Sequence, residues 1–196
     1  MTVVVLTPPP PIVDLAKAKT HLRIDHNDED GLVAAYLAAA VGHIDGPQGW
    51  LGRCIGPQSL ELRRASFGAG PIALYGPVID VEEVQYADPD GASQTLDLAS
   101  LTLSGDWLFP AYGESWPITR DHPGSVAIRY RAGYAARPLG DPLAPAIPHP
   151  IIAAVLLMTG DLYSHRETSV VGAVSAEVKM STTVANLLAP FRVWSF

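Results

Sequence analysis

The sequence predicts an α+β fold: a small helical bundle from the N- and C-terminal segments, with a β-rich antiparallel insertion in the middle. Three observations carry this. Apolar segments with helical spacing occupy both ends: LAKAKTHLRIDHNDEDGLVAAYLAAAVGHI at 15–44, PIIAAVLLMTGDLYSHRE at 150–167 and NLLAPFRV at 186–193. The stretch 54–134 is broken by Gly and Pro and alternates with a period of two. Five prolines crowd positions 137–150, as in a link returning the chain to its helical part. The expected organisation is an extended arm at 1–13, a helical domain from 14–53 and 148–196, a β-rich insertion at 54–136 and a Pro-rich linker at 137–147.

In the arm, residues 3–6 are β-formers and the prolines at 8–11 enforce an extended lead. Two readings stand there: a strand that adds to a neighbouring sheet edge, or a disordered terminus. Asp14 is a natural N-cap for a short helix to Leu22, with Leu15, Ala18 and Leu22 on one face. The acidic run DHNDED (25–30) precedes a longer helix over 27–44, where carboxylates suit the positive end of the helix dipole. Leu32, Ala35, Tyr36, Ala39 and His43 follow a buried-stripe spacing there, and the many alanines leave a thin helix open to close approach. Gly46 and Pro47 stop it.

The period then changes. Strands are expected at 59–65, 72–76, 81–88, 94–105 and 125–134. Asp88-Pro89-Asp90-Gly91 reads as a hairpin turn, because proline presets φ and glycine accepts a positive one. Val126, Ile128 and Tyr130 share one face of a half-exposed antiparallel strand. A helix over 151–167 is apolar all round in its first half, so it is expected to be the central and most buried one. Gly160 within it points to a close helix contact or a bend. A small-residue connector at 168–180 leads to a last short helix over 182–188, stopped by Pro190.

Composition narrows the function classes. A chain of 196 residues, 48% of them hydrophobic, builds a true core. A net charge of −7 argues against gripping nucleic-acid phosphates, yet suits a surface past which DNA slides without sticking. The single cysteine, Cys54, forms no internal disulfide, and a reducing intracellular compartment is expected. The N-terminus lacks the pattern of a secretory signal, and the longest apolar run, 151–158, is too short to span a bilayer. A soluble protein without membrane attachment is expected.

Reactive chemistry is not legible. An EF-hand loop begun at Asp25 would place Asp30 at the turn glycine and Tyr36 at the bidentate glutamate. The six histidines are scattered, with no metal-ligand spacing. No phosphate loop, dinucleotide fingerprint or nucleophile elbow occurs, and Glu82 and Glu83, adjacent on a strand, are expected to face opposite ways. No catalytic residue, metal or cofactor is expected. Trp107, Phe109, Tyr112 and Trp116, interleaved with glycine and proline, are a ligand-like cluster, readable as a glycan- or peptide-binding shelf or as the cap of a small β-core.

At this point the chain resembles the head–tail connector (adaptor) proteins of long-tailed bacteriophages, in the subgroup that also serves phage-like gene transfer agents. The blocks that carry the resemblance are LAKAKTHLRIDHNDEDGLVAAYLAAAVGHID, YADPDGASQTL, VAIRYRAGY with its Pro-rich link, IIAAVLLMTGDLYSHRE and LLAPFRV, in the family's order over most of the chain. The Ala-rich second helix with its Gly46-Pro47-Gln48-Gly49 interruption and the long proline arm depart from the pattern. The resemblance implies a non-enzymatic ring of about a dozen subunits in the virion neck, assembled in the host cytoplasm. That ring joins the portal protein to stopper or tail proteins and passes DNA through its lumen without sequence-specific binding.

Aromatics and arginine dominate interface energetics, so Leu187, Leu188, Phe191, Arg192, Trp194 and Phe196 are the candidate docking residues for portal or neighbour. The opposing reading folds Phe191 and Trp194 back onto the protomer's own core. The alternative function is a β-rich binding module with helical flanks, using the 107–116 loop. A weaker third is a hydrolase whose groups converge only in space.

Overall fold

In the computed structural model, which describes residues 2–134, 147–165 and 180–193, helix α1 (Leu15–Leu22) starts where its capping residue dictates. Asp14 is extended, and its Oδ1 accepts the Lys17 N–H at 2.6 Å. The helix ends on Arg23 in the left-handed region (φ 58), which lets the Ile24 N–H reach back to the Lys19 carbonyl. Helix α2 spans Asp30–Ile44, beginning later than the expected 27 because Asn27 closes a turn onto the Asp30 N–H. Its buried side chains are Val33, Leu37, Ala40 and Ile44. The expected stripe is therefore one position out of phase: a helix apolar all round carries no angular signal to fix its inner face.

Helix α3 (His149–Ser164) touches α1, α2 and α4 (Thr182–Leu188), so it is central as expected. It buries one face, Ile151, Ala154, Val155 and Thr159, while Leu156, Leu157 and Met158 stay half-buried. The expected extension to 167 passes beyond Ser164, and its last two positions lie outside the described residues, as do the 168–179 part of the expected connector and most of the 137–147 linker. Gly160 does meet α1: an added Cβ would sit 3.7 Å from Leu22 and 3.8 Å from His21, an ordinary contact.

The chain divides into a β unit, Met1–Pro10 with Arg53–Ala146, and a helical unit, Pro11–Gly52 with Ile147–Phe196. The fold class is thus the α+β one the sequence predicts, with helices at both ends and antiparallel strands between. In the β unit a five-stranded antiparallel sheet runs β1-β2-β8-β4-β5, from Thr2–Thr7, Gln58–Arg64, Val126–Ala132, Val78–Ala87 and Ser93–Thr95. A second sheet runs β3-β7-β6, from Ile72–Ala73, Trp107–Pro110 and Leu101–Ser104. The single strand expected over 94–105 is split by a 3-10 turn at Leu98–Ser100, whose start Asp97 caps by accepting the Ala99 N–H. The arm's residues 2–7 form a strand on the edge of this chain's own sheet, opposite β2.

The β core gathers Leu60, Leu62, Val84, Val126, Ile128 and Tyr130 from the large sheet against Ile72, Leu74 and Leu108. Each such side chain, fully buried, contributes about 1.5–3 kcal/mol. Tyr130 keeps its hydroxyl satisfied by accepting the Tyr75 N–H at 3.2 Å, and burial pushes its ionisation well above the ordinary tyrosine range. The Asp88 turn is built as the sequence predicts: Oδ1 accepts the Asp90 and Ala92 N–H groups at 3.1 and 2.9 Å, and Gly91 takes φ +89.

Two glycines are fixed by close approach. A Cβ on Gly76 would lie 1.9 Å from the Asp106 carboxylate, which accepts the Val78 N–H at 2.9 Å. A Cβ on Gly133 (φ +123) would lie 2.1 Å from the Gly56 carbonyl oxygen. Gly76→Ala and Gly133→Ala are each expected to lower unfolding free energy by about 3 kcal/mol or more. Gly160→Ala, with room for its methyl, is expected to raise it by about 0.5–1 kcal/mol. Urea unfolding of the three variants checks both directions.

Candidate functional site

The C-terminal segment that the sequence offers for docking is anchored on the turn following α2. Gly46 takes φ +82, and a Cβ on Gly49 would collide with the Asp45 carbonyl at 2.2 Å, so the Gly46-Pro47-Gln48-Gly49 interruption is a tight turn that needs its glycines. It presents Trp50 and Leu51, whose N–H groups donate to His43 and Ile44 carbonyls at 3.0 and 3.3 Å. Onto this turn come Arg192 and Val193. The Val193 N–H donates to the Leu51 carbonyl at 2.8 Å, and the Arg192 guanidinium lies 4.3 Å from the Trp50 ring centroid. Gly52 (φ +63) admits the approach, because a Cβ there would stand 2.8 Å from the Val193 oxygen.

The candidate docking residues accordingly separate. Leu188 is fully buried in the helical unit, and Leu187, Phe191 and Arg192 are half-buried. Val193, which the sequence did not single out, is 46% exposed at the end of the anchored stretch. Trp194 and Phe196 lie outside the described residues.

The aromatic cluster separates too. Trp116 stacks on Phe67 at 4.7 Å between centroids, Phe67 meets Tyr86 edge-on at 5.7 Å, and the Trp116 Nε1–H donates to the Gly70 carbonyl at 3.0 Å. Trp116 and Phe109 line a shallow cavity of about 420 Å³ with Gly68, Pro71, Pro110 and Glu114. Trp107 and Tyr112 do not line it: Trp107 belongs to strand β7 and is half-exposed, and Tyr112 is fully exposed. Phe67 was the missed partner, a lone aromatic between polar and small residues with no periodic signal.

The outer face of the large sheet carries a charge ladder. Glu61, 2% exposed, accepts from Arg63 and from Arg129 Nε at 2.8 Å, Arg129 also reaches Glu83 at 3.0 Å, and Arg131 grips Asp80 through both carboxylate oxygens. The expectation that Glu82 and Glu83 face opposite ways is overturned by a bulge. Register shifts between Val81 and Glu83, so Glu82 comes within 3.9 Å of Arg131 while Glu83 serves Arg129. The hydrogen bond from Arg129 holds Glu61 below the ordinary carboxylate range, that from Arg131 does the same for Asp80, and that from Gln94 does so for Asp88.

The acidic run serves the helical unit. Lys19 Nζ pairs with Asp30 at 2.6 Å and donates to Asn27 Oδ1 at 2.6 Å, and the Tyr163 hydroxyl donates to Glu29. Asp30 and Glu29 thus tie α2 to α1 and α3, while Asp25 and Asp28 are solvated. Among the described residues no group of three or more His, Cys, Asp or Glu side chains is placed to hold a metal ion, and no helix is long and apolar enough to cross a membrane.

Comparison with known proteins bears on the whole chain. Residues 12–60 match the family model of the phage gp6-like head-tail connector proteins, from the end of the proline arm through both N-terminal helices into β2. The fold matches a chain in the neck of an empty gene transfer agent particle, computed with C6 symmetry, with a TM-score of 0.76 and 23% identity over 100% of this chain and 97% of that one. It also matches a chain in the neck of the native particle, computed with C12 symmetry, with a TM-score of 0.74 and 21% identity over the same shares. No curated protein sequence matches the chain. The connector resemblance read from the residues is therefore met by a family model at one end and by a common fold along the full length.

Glu61, Asp80 and Asp88 titrate lower in the folded chain than in the unfolded one, so in acid the unfolded chain binds more protons. Their stabilisation is complete above the unfolded values of about 4 and is lost as pH falls through the folded ones. Unfolding free energy is expected to hold from pH 7 to about 5 and to drop below about 4, with a lower plateau and a shallower acid limb in Glu61→Gln. Trp116→Ala is expected to cost about 2–3 kcal/mol in chemical unfolding, by loss of its stack and hydrogen bond.

Proposed function

We propose that this chain is a structural subunit of the neck of a phage or phage-like gene transfer particle, acting by fit and not by catalysis. The observation that carries this reading is the fold shared from end to end with neck subunits, together with the connector segment at 12–60. In this reading about a dozen copies form a ring between the portal and the stopper or tail proteins, and DNA passes through its lumen. Head-to-tail rings use two different patches on each protomer, and the chain offers two exposed apolar surfaces of unlike character. On α2, Ala34, Ala35, Ala38, Ala39 and Gly42 are exposed and leave a face without bulky side chains, which admits close backbone approach. On β1, Val4, Val5 and Leu6 are exposed and branched.

The docking element to the portal is the chain end. The Trp50–Arg192 contact and the Val193–Leu51 hydrogen bond fix the last described stretch, Arg192 and Val193, on the helical unit. Deleting from residue 186 onward would remove the buried Leu188 and test stability instead. Truncation after Val193 leaves every described contact in place. Such a chain is expected to fold with an unchanged circular-dichroism melt and to yield heads that acquire no tails. Normally tailed particles from the truncated chain would refute the docking assignment.

A further inference from the structure

Strand β1 is held to its sheet asymmetrically. Of its residues Thr2–Thr7 only Val3 is even half-buried; Val4, Val5 and Leu6 are 45%, 41% and 47% exposed. Its partner β2 is the opposite, burying Gln58, Leu60, Glu61 and Leu62. The β2 edge needs a strand to satisfy its backbone and to cover Glu61, whereas β1 gains little apolar burial from the sheet it completes. An edge strand showing Val, Val and Leu to water is matched to a seam between subunits.

The link to the rest of the chain has the same character. Pro8–Pro11 donate no backbone N–H and favour an extended helix of about 3.1 Å per residue, so the tether is stiff over roughly 12 Å. Beyond it the chain enters the helical unit at buried Val13 and the Asp14 cap. The β1–β2 pairing is complete in itself, so the same contacts form whichever copy supplies the strand. In a free chain the tether holds its own β1 at about millimolar effective concentration, and in a closed ring a neighbouring copy's β2 edge competes for the same strand.

We propose that β1 is an exchanged arm: in the assembled ring, Thr2–Thr7 of one copy completes the β2 edge of the next. This rests on the ring reading above. Thr7 faces Ser59 across the pair, and directly opposed residues in such a ladder lie about 4.5–5.5 Å apart, within disulfide reach. The native Cys54 is buried and does not compete.

Particles assembled from a mixture of Thr7→Cys chains and Ser59→Cys chains can form this disulfide only between copies. After mild oxidation of necks built from a 1:1 mixture, about half of the subunits, the share that random mixing sets beside a complementary neighbour, are expected to run as the mixed dimer on a non-reducing gel, and the Thr7→Cys/Ser59→Cys double variant as a ladder of linked copies. Necks that contain both single variants but no dimer, with the double variant running as an internally closed monomer, would overturn the exchange and leave the ring reading intact. A purified neck lacking the chain altogether would overturn the ring reading, and the exchange with it.

Discussion

The β unit depends on one strand having two complete neighbours. β8 pairs along its length with β2 on one side and β4 on the other, and its side chains divide strictly between two environments. Val126, Ile128, Tyr130 and Ala132 enter the core, while Arg129 and Arg131 meet the carboxylates of Glu61, Glu83 and Asp80 outside. The strand is also far along the chain: β2 ends at Arg64 and β8 begins at Val126. Neither β2 nor β4 has β8 beside it until that loop has closed, so the centre of the large sheet rests on a long-range pairing.

The helical unit solves a different problem, since a bundle of short, alanine-rich helices has little side-chain volume to lock its angles. It uses polar staples at its ends. Lys19 with Asp30 and Asn27, and Tyr163 with Glu29, join successive helices near the start of α2, and the Trp50–Arg192 stack closes the other end of α2. Each staple is worth on the order of 1 kcal/mol, yet each fixes a direction that apolar packing alone leaves free. The acidic run, which looks from sequence like a solvated helix start, is half consumed by these contacts.

Legibility followed the locality of the signal. Caps, turns and period were written in neighbouring residues: Asp14, the Asp88–Gly91 turn, the alternation of 126–130 and the 182–188 helix stand where the residues place them. What failed was phase and register. The inner face of α2 was one position off because its outer face is equally apolar. The orientation of Glu82 was inverted by a bulge, which depends on a partner strand that the local sequence does not name. The C-terminal candidates divided for the same reason, because the turn that anchors Arg192 and Val193 lies far upstream at Trp50 and Leu51. Phe67 illustrates the limit: its stack on Trp116 joins residues that no spacing rule connects.

In the proposed role, charge distribution decides how a subunit of this kind would line a DNA path. An acidic chain repels phosphate overall, but isolated surface arginines would still make sticky points, each capable of a charge-assisted hydrogen bond. On the outer face of the large sheet these points are disarmed. Arg63, Arg129 and Arg131 all have carboxylate partners on the same face, and Glu61 is buried between two of them. A phosphate approaching Arg129 would have to displace two carboxylates already within hydrogen-bonding distance. Rigid internal pairing therefore lets the sheet keep cations for strand-to-strand cohesion without offering them to a passing polyanion. That reconciles a face rich in arginine with a chain whose proposed task is to let DNA through.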